Sequence, residues 1–272
     1  MNRAFVKVPL ASLLARPGGE VSDEVLWGWP LEILEELPGG WRLVRTHYRY
    51  TGYLPAGSLL PASEAGPWAA APKRMVTAPF ADLLEVPRVQ GRRLGTLPRG
   101  AWAALAGGPA PEGWTAAFLC GGRRGFLRDC LLGELPPEGR PLPEEGLREA
   151  LAQTALSYLG CPYRWGGRTP LGLDCSGLCS QTYLMNGVAI WRDAAIVPGF
   201  PIRPIPPEKA GKGDLLFFRG HVALFLGEGR YIHATARKGV PGVTVNSLDP
   251  AHPDYRPDLA RGILQAGSVF AP

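Results

Sequence analysis

Residues 213–234 read Gly213-Asp-Leu-Leu-Phe-Phe-Arg-Gly-His-Val-Ala-Leu-Phe-Leu-Gly-Glu-Gly-Arg-Tyr-Ile-His-Ala234, and this stretch decides the fold of the C-terminal half. Three short apolar runs are separated by turns that contain glycine, which is the pattern of antiparallel strands. They predict strands over 214–218, 221–226 and 231–234, with a fourth over 243–245.

Two helices are expected before these strands. Residues 145–159 place apolar side chains on one stripe and end before Gly160. Residues 174–185 begin at Asp174, a favourable N-cap residue, and end before an Asn-Gly pair. Helices followed by a run of antiparallel strands predict an α+β domain, here over 145–272.

The N-terminal half contains an internal repeat. The segment Val6-Lys-Val-Pro-Leu-Ala-Ser-Leu-Leu-Ala-Arg-Pro17 recurs as Val76-Thr-Ala-Pro-Phe-Ala-Asp-Leu-Leu-Glu-Val-Pro87, with six of twelve positions identical. Each copy continues into a Gly-aromatic-Leu segment and a Leu-Leu pair, and Gly and Pro divide its short alternating runs. This pattern resembles bacterial SH3-like domains and predicts two small all-β barrels, over 1–62 and 74–134. Pro- and Ala-rich linkers are expected at 61–74 and 134–146.

The composition excludes several classes of protein. The 272 residues include 29 basic and 24 acidic side chains, without a Lys/Arg cluster of the kind that binds nucleic acid. No apolar run approaches the roughly 18 residues that a membrane-spanning helix needs. The five cysteines show neither paired disulfide spacing nor zinc spacing, so we expect no metal and no cofactor.

Residues 1–16 have a basic start and a short apolar segment, as a weak signal peptide does. Because part of this segment recurs inside the chain, it predicts folded structure rather than a leader. The sequence therefore predicts a cytoplasmic protein without nucleic-acid or membrane partners, and we expect a monomer.

The segment Asp174-Cys-Ser-Gly177 sets a thiol in the first turn of a predicted helix. The unpaired amides and the helix dipole at that position favour a thiolate, and the same amides suit an oxyanion. The alternative is a buried cysteine that only packs in the core.

Two of the four histidines fall on adjacent predicted strands. If Glu228 is at the centre of the turn, residue 233 pairs with residue 223, and His221 becomes the diagonal neighbour of His233 on one sheet face. This arrangement suits a base, His221, that serves Cys175 and is oriented by His233. The alternative is a pair of core histidines without a role.

Several motifs together resemble, in order and spacing, those of the NlpC/p60 cysteine peptidases. They are Pro162-Tyr-Arg-Trp-Gly-Gly167, Leu173-Asp-Cys-Ser-Gly-Leu178, Gly213-Asp-Leu-Leu-Phe-Phe218, Gly220-His-Val-Ala-Leu224 and Tyr231-Ile-His-Ala234. The resemblance covers 147–250 and implies a papain-like α+β catalytic domain preceded by two SH3-like barrels. It also implies that Cys175 is the nucleophile, that His221 is the base and that His233 completes the triad.

The same resemblance suggests residues that contact the substrate. Tyr163 is a candidate donor to the oxyanion or the substrate, and Asp174 and Ser176 are expected to help hold a D-Glu residue. The alternatives are that Asp174 only caps the helix and that Tyr163 is only a packed ring.

Members of the family cleave cell-wall peptides, typically between γ-D-Glu and meso-diaminopimelate or Lys. Two SH3-like domains before the catalytic one further resemble the γ-D-glutamyl-L-diamino acid endopeptidases, which recycle murein peptides with a free N-terminal L-Ala. That resemblance assigns Asp193 to the substrate ammonium group. It assigns Tyr48, Tyr50 and Glu24 of the first barrel to the substrate groove, although a surface or core role fits each of these three equally well.

Two other functions compete with this one. The first is a secreted peptidoglycan hydrolase whose SH3-like domains bind the intact wall, and the second is a binding module without catalysis. The presence of Cys175, His221 and His233 argues against the second.

Overall fold

The structure is a computed structural model that describes residues 3–119, 122–139 and 142–270. The chain divides into two compact units, an N-terminal unit of residues 1–135 and a C-terminal unit of residues 136–272. The division falls inside the segment 134–146, which the sequence predicts as a linker. Cys120 lies outside the described residues.

The N-terminal unit begins with a seven-stranded antiparallel sheet. Its strands are β1 (Arg3–Val6), β2 (Leu10–Leu14), β3 (Val21–Leu26), β4 (Pro30–Leu37), β5 (Trp41–Thr46), β6 (Thr51–Pro55) and β7 (Leu59–Pro61). Their order across the sheet is β3-β2-β6-β5-β4-β1-β7.

A second antiparallel sheet repeats this arrangement. Its strands are β8 (Lys73–Val76), β9 (Phe80–Leu84), β10 (Arg93–Pro98), β11 (Trp102–Leu105), β12 (Trp114–Phe118), β13 (Arg124–Arg128) and β14 (Leu132–Glu134). Their order is β10-β9-β13-β12-β11-β8-β14, which is the first order with seven added to every strand number. The repeat in the sequence is therefore a repeat of topology.

The glycine in each Gly-aromatic-Leu segment is required by a close approach between strands. A Cβ on Gly52 would lie 2.6 Å from Cγ of Leu13, and a Cβ on Gly125 would lie 2.9 Å from Cδ1 of Leu83. Any side chain at these two positions would push the neighbouring strand away, so packing explains why both copies carry glycine there.

The segment 61–74 is more ordered than a linker. It contains the short helix α1 (Gly66–Ala70), whose Trp68 is fully buried. Trp68 packs in one cluster with Leu60 of the first sheet and Ala104 of the second. The two sheets also meet directly, because the Trp29 indole donates a 2.9 Å hydrogen bond to the Gly100 carbonyl. The composition of the segment suggested a linker because it does not reveal that Trp68 packs against both sheets.

The C-terminal unit combines helices with a six-stranded antiparallel sheet. Its helices are α2 (Glu144–Leu156), α3 (Cys175–Met185) and α4 (Pro257–Ala260), and β15 (Arg168–Thr169) and β16 (Gly172–Leu173) form a small hairpin before α3. The sheet strands are β17 (Arg203–Ile205), β18 (Leu215–Phe218), β19 (His221–Gly227), β20 (Arg230–Ala234), β21 (Val243–Ser247) and β22 (Gln265–Ser268). Their order is β17-β22-β18-β19-β20-β21.

This sheet separates two apolar clusters. Side chains on one face, including Phe217, Val222 and Leu224, pack with Leu151 of α2 and Leu178 of α3. The opposite face carries a second cluster, with Leu216, Phe218, Ala223, Tyr231 and Ala266. Successive side chains along each strand therefore point to opposite faces of the sheet. The face that contacts α3 encloses this helix against the rest of its unit.

The predicted α+β class, both predicted helices and all four predicted strands are confirmed, with ends that differ by no more than three residues. The sequence did not predict β17 and β22. Gln265-Ala-Gly-Ser268 lacks the β-branched and aromatic residues that indicate a strand, and it is a strand because it pairs with β17 on one side and β18 on the other. Within the described ranges, no helix has the length and apolar character needed to cross a bilayer.

Candidate active site

Cys175 is the first residue of α3, whose residues 175–183 are all buried. Asp174 precedes the helix in an extended conformation, and its Oδ1 accepts a 2.5 Å hydrogen bond from the Gly177 amide. This N-cap interaction satisfies an otherwise unpaired amide of the first turn. A Cβ at position 177 would overlap the Gly167 carbonyl oxygen, so glycine allows the helix to approach the preceding loop closely.

The Asp174 carboxylate also joins two other segments to the start of the helix. Its Oδ2 accepts a 2.8 Å hydrogen bond from the Gly166 amide. Arg192, which is 1% exposed, donates to both carboxylate oxygens at 3.0 Å and to the Ser176 hydroxyl at 2.8 Å. These contacts are internal, so Asp174 organises the start of α3, and its predicted contact with a substrate stays a prediction.

The two strand histidines lie in contact. Leu224 pairs with Ile232 across β19 and β20, which is the predicted register, and the turn between them places Glu228 and Gly229 at positive φ. His221 Nε2 lies 2.8 Å from His233 Nδ1. His233 is 1% exposed, and its Nε2 lies 3.0 Å from Oδ1 of Asn246.

The thiol of Cys175 lies beside the beginning of β19. The backbone of Val222, the residue after His221, and that of Ser176 are close enough to the thiol to lower its pKa. Cys175 and Val222 also share one apolar cluster. The fold therefore brings the helix start and the histidine pair to one place.

The electrostatic state of this site differs from the expectation. Burial, with a contribution from Asp174, raises the pKa of the Cys175 thiol, although two backbone amides act in the opposite direction. Burial lowers the pKa of His221 and of His233 to about 4. The expectation of a resting thiolate is therefore wrong, because enclosure of the helix start outweighs the helix dipole. The resting site holds a neutral thiol and two neutral imidazoles.

Tyr163 lies near the thiol, on the loop that precedes α3. Its backbone bridges Leu173, the residue before Asp174. Burial and the proximity of Cys175 and Asp174 raise the pKa of Tyr163 to about 12. The hydroxyl therefore stays protonated at neutral pH and can donate a hydrogen bond beside Cys175.

A small pocket of about 10 Å³ lies beside the same helix start. Ser176 and Val222, the residues that follow Cys175 and His221, line it, and Asp193, which is exposed, lines it as well. The remaining lining is largely apolar: Cys179, Ile190, Trp191, Ala195, Val197, Phe200, Ile202, Leu215 and Phe217. The pocket thus combines a small apolar interior with one solvent-exposed carboxylate.

Comparison with known proteins agrees with this geometry. The profile described as the NlpC/P60 family matches residues 160–256. A protein of Lysinibacillus sphaericus named dipeptidyl-peptidase 6 is 45% identical over 272 residues, which is 98% of this chain and 99% of that protein.

This chain belongs to the NlpC/P60 family.

Two further proteins resemble this NlpC/P60 peptidase, one in its catalytic region and one over its whole fold. The γ-D-glutamyl-L-lysine dipeptidyl-peptidase of Bacillus subtilis is 36% identical over 99 residues, which is 34% of this chain and 33% of that protein. The crystal structure of an NlpC/P60 family protein from Bacillus cereus has a TM-score of 0.80 and 21% identity, and the match covers 99% of this chain and all of the other. This structural match shows that the two proteins share a fold.

The three residues predicted from the first repeat lie in the N-terminal unit. Tyr48 is buried, and its hydroxyl donates a 2.5 Å hydrogen bond to the Asp23 carboxylate. Glu24 is buried beside it, and Tyr50 is half-buried in the following turn. Their contact with a substrate stays a prediction.

Sequence reasoning missed two residues of this site. Arg192 has no predicted role of its own, and Asn246 lies just beyond the strand predicted over 243–245. The available signals were an arginine flanked by Trp191 and Asp193, and a single amide at the end of an apolar strand. Neither signal identifies a partner, because both partners come from elements distant in the chain. In residues 3–119, 122–139 and 142–270, no cluster of His, Cys, Asp or Glu is arranged to hold a metal ion.

The lowered histidine pKa values predict an unusual pH profile. A protonated imidazole cannot accept the thiol proton, so kcat/KM should decrease as the pH is lowered. The midpoint of this decrease should lie near pH 4–5 rather than near the ordinary histidine pKa of about 6.5. Because the unfolded chain binds protons on both histidines first, the free energy of unfolding should also decrease as the pH falls from about 6.5 to about 4. Initial rates and urea titrations across this range measure both effects. An acid midpoint at or above pH 6 would contradict the neutral pair.

Removal of the Asp174 carboxylate should destabilise the protein. Asp174→Ala leaves the buried Arg192 charge without its carboxylate and should reduce the free energy of unfolding by about 3–5 kcal/mol. Urea denaturation measures the loss, and Asp193→Ala, which removes an exposed carboxylate from the next segment, is the matched control. If Asp174→Ala reduced activity and left stability unchanged, the carboxylate would serve the substrate rather than the helix start.

Proposed function

We propose that this peptidase hydrolyses the bond between γ-D-Glu and a diamino acid, meso-diaminopimelate or Lys, in murein peptides that begin with a free L-Ala. The observation that carries the proposal is that Cys175, at the start of α3, packs with Val222, the residue after His221, and that His221 contacts His233. The names of the relatives from Lysinibacillus sphaericus and Bacillus subtilis support dipeptide release from such peptides.

The chemistry begins from the neutral site. As the sulfur of Cys175 attacks the γ-carbonyl carbon of D-Glu, His221 takes the thiol proton, so no thiolate needs to exist beforehand. Negative charge develops on the carbonyl oxygen, where amides of the α3 start and the protonated Tyr163 hydroxyl are available as donors. His233 holds the imidazole of His221 in place through their 2.8 Å contact.

The second half of the reaction returns the site to its initial state. The imidazolium of His221 gives its proton to the α-amine of the diamino acid, and the carbon–nitrogen bond breaks. The γ-glutamyl group remains on Cys175 as a thioester. Water then attacks this thioester, His221 accepts the proton of the water, and the thiol is restored as the dipeptide leaves.

The pocket accounts for selection of the N-terminus. Its apolar interior, of about 10 Å³, has room for nothing larger than a methyl group such as that of alanine, and Asp193 in its lining provides a carboxylate for a free ammonium group. An acylated or glycan-linked nitrogen cannot make this ion pair. A peptidase with this preference acts on fragments already released from the glycan, so we also propose a role in cell-wall peptide recycling in the cytoplasm.

The proposal predicts cleavage of L-Ala-γ-D-Glu-meso-diaminopimelate into L-Ala-D-Glu and meso-diaminopimelate. Mass spectrometry of the products identifies the bond, and Cys175→Ala should abolish cleavage because the nucleophile is lost. The N-acetylated tripeptide should react more slowly. If intact sacculi were cleaved as readily as the free tripeptide, a peptidoglycan hydrolase that binds the wall through its SH3-like domains would be the better assignment.

Asp193→Asn should reduce kcat/KM for the free tripeptide by about fivefold to thirtyfold, which corresponds to about 1–2 kcal/mol. This free energy lies between the usual contribution of an exposed ion pair and that of a charged hydrogen bond. The rate for the N-acetylated tripeptide should not change, since it carries no ammonium group. Parallel kinetics on the two peptides measure the difference. An equal loss on both would show that Asp193 does not recognise the amine.

A further inference from the structure

Asn246 lies behind the histidine pair, and the mechanism above assigns it no part. On β21, Thr244 pairs directly with His233, and Asn246 pairs with Tyr231. Asn246 is therefore a diagonal neighbour of His233 on the same face of the sheet, within reach of a polar side chain. Its Oδ1 lies 3.0 Å from His233 Nε2.

The orientation of the Asn246 amide is determined by its second contact. Its Nδ2 donates a 3.0 Å hydrogen bond to the backbone carbonyl of Asp254. Only the amide nitrogen can meet a carbonyl oxygen, because an amide oxygen has no proton to donate. The same Asp254 carbonyl accepts a 3.1 Å hydrogen bond from the Ser247 amide, which holds it in place. The amide oxygen of Asn246 is thereby directed at His233.

This orientation determines where the protons lie on both rings. An oxygen acceptor at His233 Nε2 requires the proton on that nitrogen, so Nδ1 of the neutral ring carries a lone pair. The 2.8 Å contact then requires a proton on Nε2 of His221. The remaining nitrogen of His221, Nδ1, is unprotonated and is the one available to accept the proton of Cys175.

The surroundings favour the neutral form of both rings, and the assignment of one proton to each ring requires that form. Burial is the largest cause of the lowered pKa of both His221 and His233, and the positive charge of Arg256 acts in the same direction. Asp258, which pairs with Arg256 at 2.6 Å, partly opposes that effect at His233. Tyr231 packs edge-on against His233 with ring centroids 5.4 Å apart.

We propose that Asn246 is a positioning residue that sets the tautomers of His221 and His233. Without its oxygen, His233 can place its proton on Nδ1 and donate to His221. That arrangement moves the proton of His221 to Nδ1, where it blocks acceptance of the thiol proton. The proposal extends the proposed function, since it rests on the roles given there to Cys175 and His221.

Two substitutions separate this role from a merely structural one. Asn246→Leu removes the acceptor at similar size and should reduce kcat by about tenfold to a hundredfold while KM stays within about twofold. Asn246→Asp keeps an acceptor for His233 and should retain most of kcat. Its added negative charge should raise the pKa of the histidine pair and move the acid limb of the pH profile to higher pH.

Thr244→Val is the matched control, because it removes a polar group from the same strand and face, directly opposite His233. It should leave kcat and the pH profile unchanged. A wild-type kcat in Asn246→Leu would overturn the positioning role. An equal loss of activity in Asn246→Asp and Asn246→Leu, without a shift of the acid limb of the pH profile, would overturn it as well.

A spectroscopic measurement tests the proposal without substrate. The chain has only four histidines, so two-bond proton–nitrogen NMR spectra of ¹⁵N-labelled protein can resolve each ring. In the full-length Cys175→Ala variant at pH 7, His221 and His233 should both be protonated at Nε2, and Asn246→Leu in that background should change this pattern. A proton on Nδ1 of His233 in the presence of Asn246 would overturn the proposal. Failure of the tripeptide to react would instead overturn the proposed function, because the ring protonation is read independently.

Discussion

The site depends on one buried carboxylate, that of Asp174. Its two oxygens cap α3 through Gly177, hold the preceding loop through Gly166 and pair with both terminal nitrogens of Arg192. Three segments of the chain therefore meet at this one group: the helix that begins at Cys175, the loop with Tyr163 and the segment that leads to Asp193. A buried ion pair of this kind is costly to desolvate, and it is stable here because amides and a hydroxyl satisfy the remaining lone pairs.

Enclosure of the helix start also sets the chemistry. A helix N-terminus favours a thiolate, but Cys175 is only 8% exposed, and burial raises the pKa of its thiol. The same burial lowers the pKa of both histidines, so it favours the neutral form of the thiol and of both imidazoles. In the proposed mechanism, proton transfer is coupled to attack on the substrate, because the developing charge on the carbonyl oxygen provides the stabilisation that a resting ion pair lacks.

The sheet determines where the two histidines lie. Val222 and Leu224 face α3, while Ala223 and Tyr231 face the opposite cluster, and the histidines belong to the strands that carry this alternation. The hairpin turn at Glu228 and Gly229 fixes the register, since a shift of one residue would move a histidine to the other face. The position of β21 then brings Asn246 behind His233.

Local patterns in the sequence determined the α+β class, the helix that begins at Cys175, the strands with His221 and His233 and the repeat in the N-terminal half, because each follows from periodicity, caps and turns within a few residues. The duplication of an all-β unit was predictable for the same reason, whereas the strand order and the burial of Trp68 between the two sheets were not. Strand β22 exists only because two neighbours offer hydrogen bonds to a segment with little intrinsic preference for a strand. Arg192 and Asn246 became visible only in the tertiary structure, since their partners Asp174 and His233 lie on other elements. The tertiary structure also decided the protonation state of the thiol. The helix dipole can be predicted from the sequence, but the burial that outweighs it depends on all the residues packed around the helix.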